Sequence, residues 1–145
     1  MSCAIWNSRR LGNPTTVKEL RDFAWRYDPT VLCVQETQVH KSRVEGLSHT
    51  LGYDHAFAVS SSGRKGGIGM FWNNEVTVEI LPYSQYHLDA IITEHGKEPW
   101  RLTCVYGEAQ THLRHRTWEM LKFIKSSYPH PWMCIGDFNE VLHQS

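Results

Sequence analysis

The chain has 145 residues, enough for one domain with its own core. Its 41% hydrophobic and 21% charged content is that of a folded globular protein. Fifteen basic and fifteen acidic residues cancel, so nucleic-acid binding cannot rest on a global basic excess and would need a local patch. Six Trp, six Tyr and five Phe exclude a disordered chain, and no apolar stretch approaches membrane-spanning length.

Residues 3–6 (CAIW) form a short apolar run expected to be a buried strand. A polar loop follows. Asn13 then Pro14 is a helix start, with a side-chain acceptor at the cap and proline in the first turn. Val17, Leu20, Phe23, Ala24 and Tyr27 recur at helical spacing, and Asp28-Pro29 ends the helix, predicting it over 14–27. VLCVQE at 31–36 is the next buried strand, completing a strand–helix–strand unit with a parallel pair.

The middle of the chain reads differently. HAFAV (55–59), GIGMFW (67–72), VTVEIL (76–81) and HLDAIITE (87–94) are short runs separated by turn signals. SSSGRKGG (60–67) and NN (73–74) suit hairpin connections, so antiparallel strands with one wet face are expected. RLTCVYG (101–107), a helix over 112–126 and PWMCIGD (131–137) repeat the opening pattern. The periodicities thus predict an α/β fold in a single domain, 1–145: two strand–helix–strand units flanking hairpins in a mixed sheet.

Cys3, Cys33, Cys104 and Cys134 lack zinc-site spacing and sit in apolar runs, so reduced, buried thiols are expected. With no secretory leader, this points to an intracellular protein of nucleus or cytoplasm. Arg9, Arg10 and Lys18, with no acid among the first eighteen residues, faintly resemble a mitochondrial presequence, which leaves the mitochondrion open. The strand-like residues 3–6 and the helix break at Asn13-Pro14 favour a first strand and a loop instead.

In open α/β sheets, ligands bind beyond the carboxyl ends of the strands. Asn7, Glu36, Tyr106, Asp137 and Asn139 stand there. Glu36 and Asp137 are hard oxygen donors suited to Mg²⁺, while Asn and Tyr can hydrogen-bond phosphate oxygens or orient water. Each alone has an ordinary reading: a solvated loop acid, a turn former, a core tyrosine. Their joint placement at strand ends carries the argument.

The stretches CAIWNSRRLGNPTTVKEL, VLCVQET, GRKGGIGMFWNN, WRLTCVYGE and PWMCIGDFNEVL resemble the endonuclease/exonuclease/phosphatase superfamily. More narrowly, they resemble the endonuclease domain of plant LINE-type (non-LTR) retrotransposons. The resemblance implies a two-sheet α/β sandwich that cleaves phosphodiesters with a divalent metal. Carried over by motif, Glu36 holds the metal with Asp137 as a possible second ligand, and Asn7 builds its surroundings. Tyr106 contacts the scissile phosphate. Asp137 acts on the attacking water or the leaving group, and Asn139 orients it.

In that family the GDFN motif opens the second half of the domain, which ends in a Ser-Asp-His motif. The sequence, ending at Ser145, resembles only the first half to two thirds, so an incomplete sandwich is expected. Arg10 replaces a common family glycine, and a displaced Asn7 loop is expected because Arg tolerates positive φ poorly. Asp54-His55 lies in the wrong section to replace the missing acid and histidine. The resulting expectations are an impaired enzyme and weak or vestigial Mg²⁺ binding. Self-association or an unidentified protein partner is expected, with weak DNA binding and no membrane. The apolar faces of GIGMFW and HLDAIITE would be the exposed contact surface. The alternative is a weakly active Mg²⁺-dependent DNA endonuclease.

Overall fold

In the computed structural model, residues 1–62, 66–106, 119, 122–123, 125–126 and 130–137 are described. β1 (Cys3–Asn7) leads through α1 (Pro14–Tyr27) to β2 (Val31–Gln35), which pairs with β1 in parallel. Asn13 caps α1 by accepting from Thr15 N at 2.9 Å. Asp28 closes it in the left-handed conformation, φ 43°, with its N–H on the Ala24 carbonyl. Leu20 and Ala24 are buried, whereas Tyr27, expected on the apolar face, is exposed and packs on Phe23.

Two short helices, α2 (Lys41–Glu45) and α3 (Ser48–Leu51), follow. Neither was expected, because four or five residues are too few to show a helical period. β3 (His55–Val59) and β4 (Ile68–Trp72) then form an antiparallel pair, and β4 continues onto β2. The first sheet has the order β1-β2-β4-β3.

β5 (Val76–Ile80), β6 (His87–Glu94), β7 (Trp100–Tyr106) and β8 (Trp132–Asp137) make the second sheet in that order. β7 and β8 pair in parallel, as a strand–helix–strand unit requires. Between them Glu119, Lys122, Phe123, Lys125 and Ser126 are helical; the rest of the helix expected over 112–126 lies outside the described residues.

The chain therefore folds as a two-sheet α/β sandwich, each sheet mixed. The Asn73-Asn74 connection is not a hairpin, because it carries the chain from one sheet to the other. Nor does the middle region keep one wet face throughout. Residues 68–71 of β4 are all buried, with Ile68 and Met70 in the core between the sheets and Phe71 in a second core beneath the helices. That second core also holds Leu20, Ala24, Leu32 and Val34. β2 is buried on both sides, which explains its unbroken apolar run.

Ile68, Met70, Leu88, Ala90 and Ile92 cover one another between the sheets. The apolar faces of GIGMFW and HLDAIITE are thus interior, contrary to the expectation that they form an exposed contact surface. β2 faces β7 and β4 faces β6, so β1 and β8 are the outer strands on the same side. The cysteines also differ from expectation. Cys33 and Cys104 form a disulfide between the sheets, while Cys3 and Cys134 are free and half-buried. The argument for a reducing compartment from four free thiols therefore lapses. Among the described residues no helix is long and apolar enough to cross a membrane.

Candidate functional site

Parallel pairing places Asn7 opposite Gln35, one residue before Glu36. The β7–β8 pairing places Tyr106 opposite Asp137. The sandwich then brings the two sets together: the Tyr106 hydroxyl donates to Glu36 Oε1 at 2.6 Å. Tyr106 packs with the core between the sheets, and Asp137 is its register partner on β8. Asn7 Oδ1 accepts from Arg9 N at 3.1 Å, so the amide nitrogen is the group Asn7 can present to a ligand. Asn139 lies outside the described residues.

Glu36 adopts φ 51° and Gln38 φ 55°, conformations that cost a non-glycine residue about 1–3 kcal/mol each. Neighbouring loops hold them there. Ser8 N donates to the Gln35 carbonyl at 2.9 Å, and Ser8 Oγ donates to the Gln35 and Glu36 carbonyls at 2.8 and 3.1 Å. Leu11 N bonds the Thr37 carbonyl at 2.9 Å, and Gln38 N bonds the Gly66 carbonyl at 3.0 Å. Gly67, at φ 94°, packs so tightly on the Thr37 hydroxyl that a Cβ would collide with it.

The loop that follows Asn7 is docked on residues 35–37 on both sides of Arg10. Arg10 itself takes φ 149°, and Ser8 and Leu11 on either side remain bonded to residues 35–37. Docking of the loop outweighs the local cost of the arginine. Asp54-His55 lies at the far end of the first sheet. There Asp54 accepts from Asn74 N at 3.0 Å, and the His55 ring lies 2.7 Å from Asn74 Oδ1.

Three site-edge residues were not singled out in the sequence. Gln35 is buried and donates its amide to the Val105 carbonyl across the sheets. Its one signal was a polar side chain ending an apolar strand. Gly136 stands opposite Val105 at φ 147°, where a Cβ would collide with the Val105 carbonyl. His87, one of nine scattered histidines, pairs with Val105 from the other side. Burial lowers its pKa below 6.5; Asp89 and the Pro82 carbonyl oppose that shift and Arg101 adds to it.

Glu36 and Asp137 are hard oxygen donors, a set that fits a cation keeping most of its water, as Mg²⁺ does. Among the described residues no group of three or more His, Cys, Asp or Glu could hold a metal.

The chain's sequence matches the Endonuclease/Exonuclease/phosphatase family over residues 4–144. No curated protein sequence matches it. Solved structures share its fold. A humanized D. rerio TDP2 is similar with TM-score 0.68 at 18% identity, over 97% of this chain and 63% of that one. An AP endonuclease from Archaeoglobus fulgidus has TM-score 0.68 at 17% identity, over 96% and 57%. The endonuclease domain of TRAS1, a telomere-specific non-LTR retrotransposon, has TM-score 0.65 at 15% identity, over 93% and 58%. The chain thus spans under two thirds of each. With its sequence matched almost end to end and its two sheets arranged as in these structures, the chain belongs to the endonuclease/exonuclease/phosphatase family.

Proposed function

We propose that this chain provides the metal- and phosphate-facing part of a site that hydrolyses DNA phosphodiesters. The type is that of plant LINE retrotransposon endonucleases. The observation that carries this reading is the Tyr106–Glu36 hydrogen bond between the carboxyl ends of β7 and β2, with Asp137 in register beside Tyr106. The motif stretches and the structural likeness to the TRAS1 domain support the narrower assignment.

In this reading Glu36 would hold Mg²⁺, with Asp137 as a possible second donor. When bound, the cation would polarise the phosphate and favour ionisation of a water. Tyr106 and Asn7 offer hydrogen bonds to phosphate oxygens. Asp137 moves a proton at the attacking water or the leaving oxygen, and Asn139 orients that carboxylate. Exposed basic residues that follow two of the site residues in sequence support a nucleic-acid substrate on this neutral chain. Arg9 and Arg10 follow Asn7, Lys41 and Arg43 follow Glu36, and all four are exposed without an ion-pair partner among the described residues.

In this reading metal binding is weak, because one firm carboxylate, Glu36, and a possible second leave most of the coordination shell to water. Mg²⁺-dependent plasmid nicking, compared with Glu36→Ala, tests the reading. Slow, chelator-sensitive nicking that falls on the order of 10²-fold in the variant is expected. Equal nicking by both proteins, or none with Mg²⁺, overturns it.

A second reading is association with another copy or another protein through the side where β1 and β8 are outermost. Met133 on β8 is 47% exposed, and Cys3, Ala4, Ile5 and Trp6 of β1 are only half-buried. Edges with apolar side chains and no strand partner among the described residues favour addition of a strand or a facing sheet. Light scattering behind a sizing column should show a dimer or a complex, weakened by Met133→Glu. A monomer at micromolar concentration with no bound partner sinks it.

A further inference from the structure

Three residues hold the two sheets together at one point, and each directly precedes a residue proposed for chemistry. Gln35 precedes Glu36 on β2, Val105 precedes Tyr106 on β7, and Gly136 precedes Asp137 on β8. Gln35 is 2% exposed, yet its side-chain nitrogen leaves the first sheet and donates to the Val105 carbonyl in the second. Gly136 lies opposite Val105. A Cβ there would meet the Val105 carbonyl and would sit 2.8 Å from Gln35 Nε2. The missing side chain is what admits the glutamine amide.

We infer that Gln35 is a positioning residue, locked to Val105 through the space left by Gly136, and that this lock sets Glu36 against Tyr106. The inference rests on the functional reading above only for what the lock serves. Its other end is equally fixed. The Gln35 carbonyl accepts from both Ser8 N and Ser8 Oγ, at 2.9 and 2.8 Å. With its backbone clamped by the β1 loop and its amide clamped by β7, the residue leaves Glu36 little freedom beyond its own side-chain torsions. A buried amide must find a partner or cost on the order of 1–3 kcal/mol, so the pairing is self-enforcing. Two positions before Gln35, Cys33 is joined to Cys104 of the same β7. The two strands are thus tied twice, and the Glu36–Tyr106 bond is the third tie outward.

Two measurements on the full chain test the lock. The first is hydrogen exchange of the Gln35 side-chain amide by ¹H–¹⁵N spectroscopy. Exchange at least about a hundredfold slower than an exposed glutamine is expected. Exchange at the exposed rate overturns the inference. The second uses ¹³Cζ-tyrosine, with Tyr106 assigned from its absence in Tyr106→Phe. Gln35→Met keeps the length of the side chain but has no donor. It should move the Tyr106 resonance toward its position in Glu36→Ala while the other tyrosines stay put. A folded Gln35→Met with an unmoved Tyr106 resonance overturns the inference. If that variant does not fold, the exchange rate in the unaltered chain decides. Neither measurement needs metal or nucleic acid. A protected Gln35 without Mg²⁺-dependent nicking sinks the functional reading alone, and nicking with an unprotected Gln35 sinks the lock alone.

Discussion

Tyr106 and Glu36 are 70 residues apart in sequence, and their 2.6 Å hydrogen bond joins the carboxyl ends of the two sheets. A bond to a carboxylate contributes about 1.5–3 kcal/mol, and partial solvent access places this one toward the lower end. Tyr106→Phe should therefore destabilise the chain by about 1–2 kcal/mol in urea unfolding. It also frees a Glu36 oxygen, so Mn²⁺ affinity should rise while any Mg²⁺-dependent nicking falls. Unchanged metal affinity would mean the hydroxyl does not compete for that oxygen.

Arg10→Gly should stabilise the chain. Arg10 holds φ 149°, which glycine adopts without a side-chain clash. Relief of that strain is worth on the order of 1 kcal/mol, less the extra freedom glycine has when unfolded. A lower unfolding midpoint in the variant would show that the arginine side chain contributes more than its backbone costs.

The second sheet contains a buried ion pair. Arg101 Nε lies 2.9 and 3.0 Å from the two Asp89 oxygens, and Arg101 Nη2 also bonds Asp89. Thr103 Oγ1 donates to Asp89 at 2.9 Å and receives Trp132 Nε1 at 2.8 Å. Asp89→Ala leaves a buried guanidinium without its carboxylate, a loss of about 3–5 kcal/mol. Adding Arg101→Met should restore much of it. A double variant no better than the single would show that Arg101 stabilises by packing and not through the pair.

Cys33 and Cys104 close a loop with a sequence separation of 71. By the chain-entropy account such a closure restricts the unfolded ensemble by about 4 kcal/mol. Reduction should lower the urea midpoint and raise the slope, because the unlinked unfolded chain expands and exposes more surface. Both cysteines are fully buried, so reduction should follow opening of the sandwich and quicken as urea is raised. Equal midpoints with and without reductant would count against the pairing.

Burial holds His87 below the ordinary 6.5, with Asp89 and the Pro82 carbonyl opposing the shift and Arg101 adding to it. The unfolded chain therefore binds the proton more readily. The stability tied to this residue is complete above pH 6.5 and is lost as pH falls toward the lowered folded value. Urea midpoints across that range should fall with pH, and fall less in His87→Asn. The same slope in both proteins would assign the acid sensitivity to other groups.

Local patterns determined much of this protein. The Asn13 cap, the Asp28 stop and the near-correct bounds of the eight described strands were legible because each depends on residues a few positions apart. So was the placement of Asn7, Glu36, Tyr106 and Asp137 at or just past strand ends, since a strand's end is itself a local feature. Tertiary structure alone decided that Asn73-Asn74 passes between sheets, that Cys33 meets Cys104, and that Asp89 holds Arg101 under the surface. It also decided that Gln35 reaches Val105, again 70 residues away. No period or turn signal encodes such meetings. They follow from which faces the two sheets bury against each other, and burial forces each polar group caught there to take whatever partner the opposite sheet presents.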